Sequence, residues 1–151
     1  MKTILVNQSS VRMPKKFIEQ WLRFLHRDYV RQKARGASKR LGARAELVVV
    51  FLDTREAKAL NKKFRGKNYA TDVLSFSSDE SSGELVLCPQ VLLRQAREHG
   101  LTFRQELAYM LSHGVLHLLG YDHELSRREA DTMFALQDKA FARGLRKIRT
   151  K

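Results

Sequence analysis

His113-Gly114-Val115-Leu116-His117-Leu118-Leu119-Gly120-Tyr121-Asp122-His123 places three of the chain's five histidines within eleven residues. His113 and His117 are four apart, so a helix stacks them one turn above each other on one face. Gly120 follows three residues later and can take the left-handed conformation that ends a helix. The chain can then turn back and bring His123 to the same point. Three neutral imidazoles suit zinc or a similar borderline metal, and they leave one coordination position open for water. An open position marks a catalytic site rather than a structural one.

What the run lacks narrows its chemistry. The histidine spacing is that of the metzincin peptidases, in which the residue after the first His is a Glu acting as general base. Here that residue is Gly114. Glycine cannot take a proton, so peptide hydrolysis by that route is disfavoured. A buried helix with incidental histidines is the plainer alternative. It suits single histidines, not three at this spacing with a glycine turn after the second.

Length and composition set the frame. At 151 residues the chain reads as one domain over residues 1–151, with room for a hydrophobic core. The hydrophobic fraction of 43% and charged fraction of 30% are those of a soluble globular protein. Cys88 is the single cysteine, so no intramolecular disulfide can form, which fits a reducing compartment. The N-terminal apolar run is too short for a signal peptide, and no stretch approaches the roughly 20 residues of a membrane span. A cytoplasmic protein without a membrane partner is expected.

Lys and Arg total 29 against 16 acids, a net charge of +13. Such an excess favours a polyanion, most often nucleic acid, through counterion release. The simpler alternative is solubility alone. Residues 31–44 carry Arg31, Lys33, Arg35, Lys39, Arg40 and Arg44 with no acid, and Gly36 and Gly42 interrupt them. This segment is expected to be a solvated loop or helix extension. It is either a charged surface or an RNA-phosphate contact through residues such as Lys39 and Arg40.

Periodicity supplies the remaining elements. Residues 3–7 read as a short strand, and Pro14 opens a helix to about Tyr29 with Phe17, Trp21, Leu22 and Leu25 at helical spacing. Residues 45–52 are nearly continuous in apolar character, which suits a strand covered on both faces. Asp53 with Glu56 resembles a capping box for a helix to about Phe64, broken by Arg65-Gly66-Lys67-Asn68. Residues 73–76 and 84–88 read as an antiparallel pair joined by a polar connection over 77–82. Pro89 opens a helix to about His99, and residues 102–119 form the histidine helix. Ser126 and Glu129 make a capping box for a last helix to about Gly144, followed by a frayed basic tail. The order β-α-β-α-β-β-α-α-α is that of an α+β domain. One small mixed sheet of about four mostly parallel strands packs with about five helices, one of them a zincin-like metal helix.

Two segments together resemble a known family. Asn61-Lys62-Lys63-Phe64-Arg65-Gly66-Lys67-Asn68-Tyr69-Ala70-Thr71-Asp72-Val73-Leu74-Ser75-Phe76 is similar to a characteristic segment of the YbeY family. The run His113 to His123 resembles that family's signature nearly letter for letter, and length and helix order agree. The resemblance implies a bacterial single-strand-specific endoribonuclease acting in ribosomal RNA maturation, notably at the small-subunit RNA 3′ end, and in ribosome quality control. It implies a zinc-like ion on His113, His117 and His123 and a functionally important basic residue at Arg65. Single-stranded RNA and the small ribosomal subunit are the implied partners, with no small-molecule cofactor. One departure is Gly83-Glu84, where the family usually has Gly-Asp.

The residues themselves point the same way. A divalent ion with an open position acidifies water and polarises a phosphoryl oxygen. A phosphodiester carries charge that an Arg clamps with two parallel hydrogen bonds. Arg65 is either such a clamp or a helix C-terminal cation favoured by the dipole. Arg65, Lys67, Lys39 and Arg40 are the candidate RNA-phosphate contacts; Arg65, His113, His117 and His123 are the candidate catalytic set. Asp122 either orients an imidazole or satisfies the turn backbone. Tyr121 either stacks on a base or walls the metal site. Two rival functions are a metal-dependent hydrolase of another substrate, such as a peptidase, and a non-catalytic ribosome-binding factor with a structural metal. The latter calls for a fourth tight ligand, and none stands near the run.

Overall fold

Helix and strand boundaries fall where capping chemistry and apolar spacing put them. The computed structural model describes residues 1–151 except Ala43, Ser78 and Glu80. In chain order the elements are β1 (Lys2–Asn7), α1 (Lys15–Arg31), α2 (Ala37–Arg40), β2 (Glu46–Phe51), α3 (Thr54–Arg65), β3 (Val73–Ser77), β4 (Ser82–Leu87), α4 (Pro89–His99), α5 (Phe103–Leu118) and α6 (Arg127–Lys147). The sheet order is β1-β2-β4-β3. β1 and β4 run parallel to β2, and β3 returns antiparallel to β4. The expected α+β architecture is what forms, with the one-turn α2 as an addition. No helix among the described residues is long and apolar enough to cross a membrane.

α5 is the centre of the fold. It is apolar around most of its circumference, so it must be covered on several sides. It packs against α1, α4 and α6 and against β3 and β4. Leu107, Ala108, Leu111 and Leu116 are fully buried. Its start is fixed by a full capping box: Thr102 Oγ1 accepts from the Gln105 backbone N–H, and the Gln105 side chain accepts from Thr102 N–H. α1 is tied to it through buried polar groups. Trp21 Nε1 donates to Ser112 Oγ at 3.0 Å, and Tyr29 Oη donates to the Ser112 carbonyl at 3.0 Å.

Gly114 explains how close α5 comes to the sheet. A Cβ there would lie 2.9 Å from Leu85 and 3.2 Å from Val73. Leu85 and Val73 belong to β4 and β3, so the residue beside His113 faces the sheet rather than the histidine side of the helix. The helix N-terminal to the second His is thus a packing surface at this position.

Several expectations need correction. Asp53 is the N-cap residue of α3, but its side chain makes no capping bond. Asp53 Oδ1 instead accepts from Ser10 N–H at 2.9 Å and from Gln90 Nε2 at 2.6 Å, joining the β1–α1 loop to α4. The segment 31–44, apart from Ala43, is less loop-like than its charge suggested. Arg35 pairs with Glu129 at 3.0 Å and its guanidinium lies 4.5 Å from the Tyr121 ring centre. Arg40 donates to the Leu118 carbonyl at 2.9 Å, at the open C-terminal end of α5. β2 buries Leu47, Val49 and Phe51 on one face, while Val48 and Val50 on the other are only half-buried, so it is fully covered on one side. Of the connection over 77–82, Ser78 and Glu80 lie outside the described residues. Within it, Asp79 Oδ1 accepts from the Ser81 backbone N–H at 2.7 Å.

The last helix also outruns its expected end. Gly144 lies inside α6, which continues to Lys147. The glycine is there for contact: a Cβ would meet Trp21 Cη2 at 2.3 Å and Phe24 Cε1 at 3.0 Å. The tail is not frayed as expected. Ile148 and Thr150 are buried, and the Thr150 carbonyl accepts from Thr102 Oγ1 at 2.8 Å. Ser126 caps α6 through the Glu129 backbone N–H at 3.1 Å, but the Glu129 side chain goes to Arg35, so only half the predicted box forms.

Gly144→Ala should therefore destabilise the protein by about 1–3 kcal/mol, the usual range for overpacking against rigid aromatics. Urea unfolding would measure it. An unchanged midpoint would mean that α1 and α6 can separate freely at this contact.

Candidate metal centre

His113 and His117 lie on the exposed side of α5, each half-buried, in an open cleft of about 730 Å³. Leu119 closes the helix, and Gly120 follows with φ of +96°, a conformation that a Cβ would oppose. The reversal at Gly120 returns the chain so that His123 joins the pair. The imidazole centroids of His113, His117 and His123 are 4.6–5.3 Å apart. One nitrogen from each lies within 4.8 Å of the other two.

The arrangement fits a divalent ion on three grounds. His113 Nδ1 lies 2.8 Å from Gln137 Oε1, an acceptor, so that nitrogen carries the proton and Nε2 presents its lone pair. His113 Nε2 and His117 Nε2 are 3.0 Å apart, and two lone pairs at that distance repel unless a proton or a cation lies between them. His123 Nδ1 is buried with no hydrogen-bond partner among the described residues. For His113 and His117 the neutral, ligating form is favoured. Burial is the main cause for His117, whose pKa is pushed down to about 4, with the neighbouring His113 and His123 adding to it. Burial likewise lowers His113.

These shifts have a consequence for the metal-free protein. A histidine whose folded pKa lies below its ordinary 6.5 binds fewer protons folded than unfolded as pH falls. The stability it supports is complete above about pH 6.5 and is lost as pH drops towards 4. Thermal melts of chelator-treated protein should fall through that window, and His117→Asn should flatten the fall. Parallel curves for the two proteins would contradict it.

Arg65 is the last residue of α3, and Gly66 in a left-handed conformation closes the helix behind it. Arg65 and Lys67 line the same cleft as the histidines. Among the described residues none hydrogen-bonds or ion-pairs with the Arg65 guanidinium, which leaves it free for a ligand. Lys39 and Arg40 are not brought to this cleft. Lys39 is exposed on α2, and Arg40 caps α5. Asp122 takes the turn role: its Oδ1 accepts from Glu124 N–H at 2.9 Å. Tyr121 neither stacks outward nor walls the cleft. It is buried beneath Arg35, and its hydroxyl accepts from the Arg35 backbone N–H at 2.9 Å. Met133 and Cys88 are buried. Glu84 is exposed on β4, paired across from Phe76.

Three cleft residues escaped sequence reasoning. Gln137 orients His113, as above. Phe134 packs its ring 6.2 Å from His113 and 5.7 Å from His123. Glu106, fully buried one turn into α5, holds His99 Nδ1 at 2.9 Å in the cleft wall. A signal was present for two of them. Gln137 lies four residues from Met133 and three from Ala140, a polar residue in an apolar stripe. Glu106 lies seven residues before His113, on the same helical face.

Comparison with known proteins bears on this site. The family described as Endoribonuclease YbeY matches residues 4–144. A protein of Bdellovibrio bacteriovorus named Endoribonuclease YbeY is 54% identical, with 100% of each chain covered. One of Neisseria meningitidis serogroup B with the same name is 42% identical over 72% of this chain and 70% of its own. Among solved structures, the solution structure of TM1509 from Thermotoga maritima superposes with a TM-score of 0.62 at 29% identity, covering 92% of this chain and 86% of that one.

Proposed function

The chain belongs to the Endoribonuclease YbeY family, and from that premise we propose that it is a metal-dependent endoribonuclease specific for single-stranded RNA. The observation that carries the reading is one cleft holding three converging imidazoles beside the Arg65 guanidinium, which has no hydrogen-bond or ion-pair partner among the described residues. His113, His117 and His123 hold the ion, zinc by the chemistry of an all-imidazole donor set. When bound, it supplies Lewis-acid polarisation of a phosphoryl oxygen and acidifies water.

The chain's own residues do the rest. Gln137 fixes the His113 tautomer by accepting a hydrogen bond from its Nδ1–H. Arg65 grips two oxygens of the phosphodiester, and Lys67 adds a second positive charge at the cleft. Phe134 covers the His113 and His123 rings and keeps water off that side. The +13 net charge draws RNA to the surface. Arg65, His113, His117 and His123 form the catalytic set. Lys39 and Arg40 extend the RNA path away from the cleft.

The substrate we assign is ribosomal RNA, at the 3′ end of the small-subunit RNA, with the small ribosomal subunit as partner and the cytoplasm as the compartment. Digestion of end-labelled single-stranded RNA, its duplex and casein tests the activity. Internal RNA cuts that stop on chelation and resume on adding back metal are expected. Casein cleavage without RNA cleavage would favour a peptidase. Cells depleted of the protein should accumulate small-subunit RNA with an unprocessed 3′ end; normal ends would remove the ribosomal assignment.

A further inference from the structure

Four large apolar side chains are exposed among the described residues: Phe64 at 55%, Tyr69 at 54%, Phe134 at 37% and Leu125 at 72%. Apolar residues scattered singly over a surface need no explanation. These are not scattered. Phe64, Tyr69 and Phe134 all line the histidine cleft, and Leu125 directly follows Glu124, another cleft residue.

Phe134 is already engaged with the His113 and His123 rings. Phe64 and Tyr69 are differently placed. Phe64 meets Phe76 edge-on at a centroid distance of 5.1 Å, so β3 holds the ring while half of it stays open. The Lys63 ammonium lies 5.4 Å from the same ring. Phe64 immediately precedes Arg65, and Tyr69 follows two residues after Lys67. Flat apolar faces therefore alternate with cations along 62–69, and every residue of that stretch is exposed.

One kind of ligand offers both features at adjacent positions. A nucleotide chain presents a phosphate to each cation and a planar base to each ring. In duplex RNA the bases are stacked on one another and their faces are closed; only unpaired bases can be splayed onto a side chain. We propose that Phe64 and Tyr69 are the stacking surface for unpaired bases flanking the phosphodiester held at Arg65, and that this surface selects single-stranded over paired RNA. The inference rests on the RNA reading above and names the residues that make the selection.

The test is binding, so that it does not depend on cleavage. Fluorescence anisotropy would follow a labelled single-stranded RNA of mixed sequence, and the same strand annealed to its complement, on chelator-treated wild type and chelator-treated Phe64→Ala/Tyr69→Ala, so that neither protein cuts the probe. Loss of two stacking contacts should weaken single-strand binding by roughly tenfold or more. Duplex binding should change little, so the single-strand preference should shrink. The salt dependence should keep its slope, because a lost ring releases no counterions. Phe64→Trp should retain affinity, and Tyr69→Ala alone, on an exposed loop residue, guards against a folding artefact. Wild-type single-strand affinity in the double variant would overturn the proposal. So would an equal loss for single strand and duplex, or a wild type with no preference for single strands. A wild type that binds single strands through these rings but never cuts them once metal is restored would uphold the proposal while removing the nuclease reading.

Discussion

His117→Ala should lose most of its bound divalent metal and at least roughly a hundredfold of its RNA cleavage, because even groups behind a ligand change metal affinity or activity by about 10–100-fold. His117 is one corner of a compact triangle: its ring is 4.6 Å from His113 and 5.3 Å from His123. Without it, two imidazoles remain, and two protein ligands rarely hold a catalytic ion. The loss should not come from unfolding. His117 is half-buried at the cleft, and alanine is the best helix former for its position in α5. Metal analysis and circular dichroism of the purified variant separate the two outcomes. Stoichiometric metal in a folded His117→Ala protein would remove this residue from the ligand set.

Arg65→Lys should cut RNA roughly 10–100-fold more slowly while keeping the charge and the fold, since one charged hydrogen bond contributes about 1.5–3 kcal/mol. The reason is geometric. The guanidinium fork meets two phosphate oxygens at once, and an ammonium meets them as a point charge. Arg65 ends α3 with no partner among the described residues, so little of the fold depends on it. A helix C-terminal role alone would be served equally well by lysine. Equal cleavage rates for the two proteins would therefore show that only the dipole, or bulk charge, matters there.

Much of this was legible in the chain. The four strands, the antiparallel β3–β4 pair and the histidine helix follow from apolar periodicity and from Pro and Gly punctuation, because those signals are local. The histidine triad was legible for the same reason: a four-residue helical spacing and one glycine turn bring its members together. What was not legible depends on distant partners. Gly144 looked like a helix end because glycine usually is one; its contact with Trp21 lies more than a hundred residues away in sequence. Asp53 looked like a cap because only Ser10 and Gln90, from other elements, show why its side chain turns away. The basic run over 31–44 looked solvated. Arg35 and Arg40 are instead drawn to Glu129 and to the end of α5, targets that no local pattern reveals. Gln137 and Glu106 went unread because a single polar residue stands out only against the helical face it shares with the core or with the histidines.

The central claim is that one ion on His113, His117 and His123 drives cleavage of unpaired RNA. Its most direct test is a single titration: metal-free protein is loaded stepwise with zinc, and bound metal and single-stranded RNA cleavage are measured on the same samples. Cleavage should rise in proportion to bound metal and level off at one ion per chain. Full cleavage by the metal-free protein, or one bound ion per chain with no cleavage, would contradict the account.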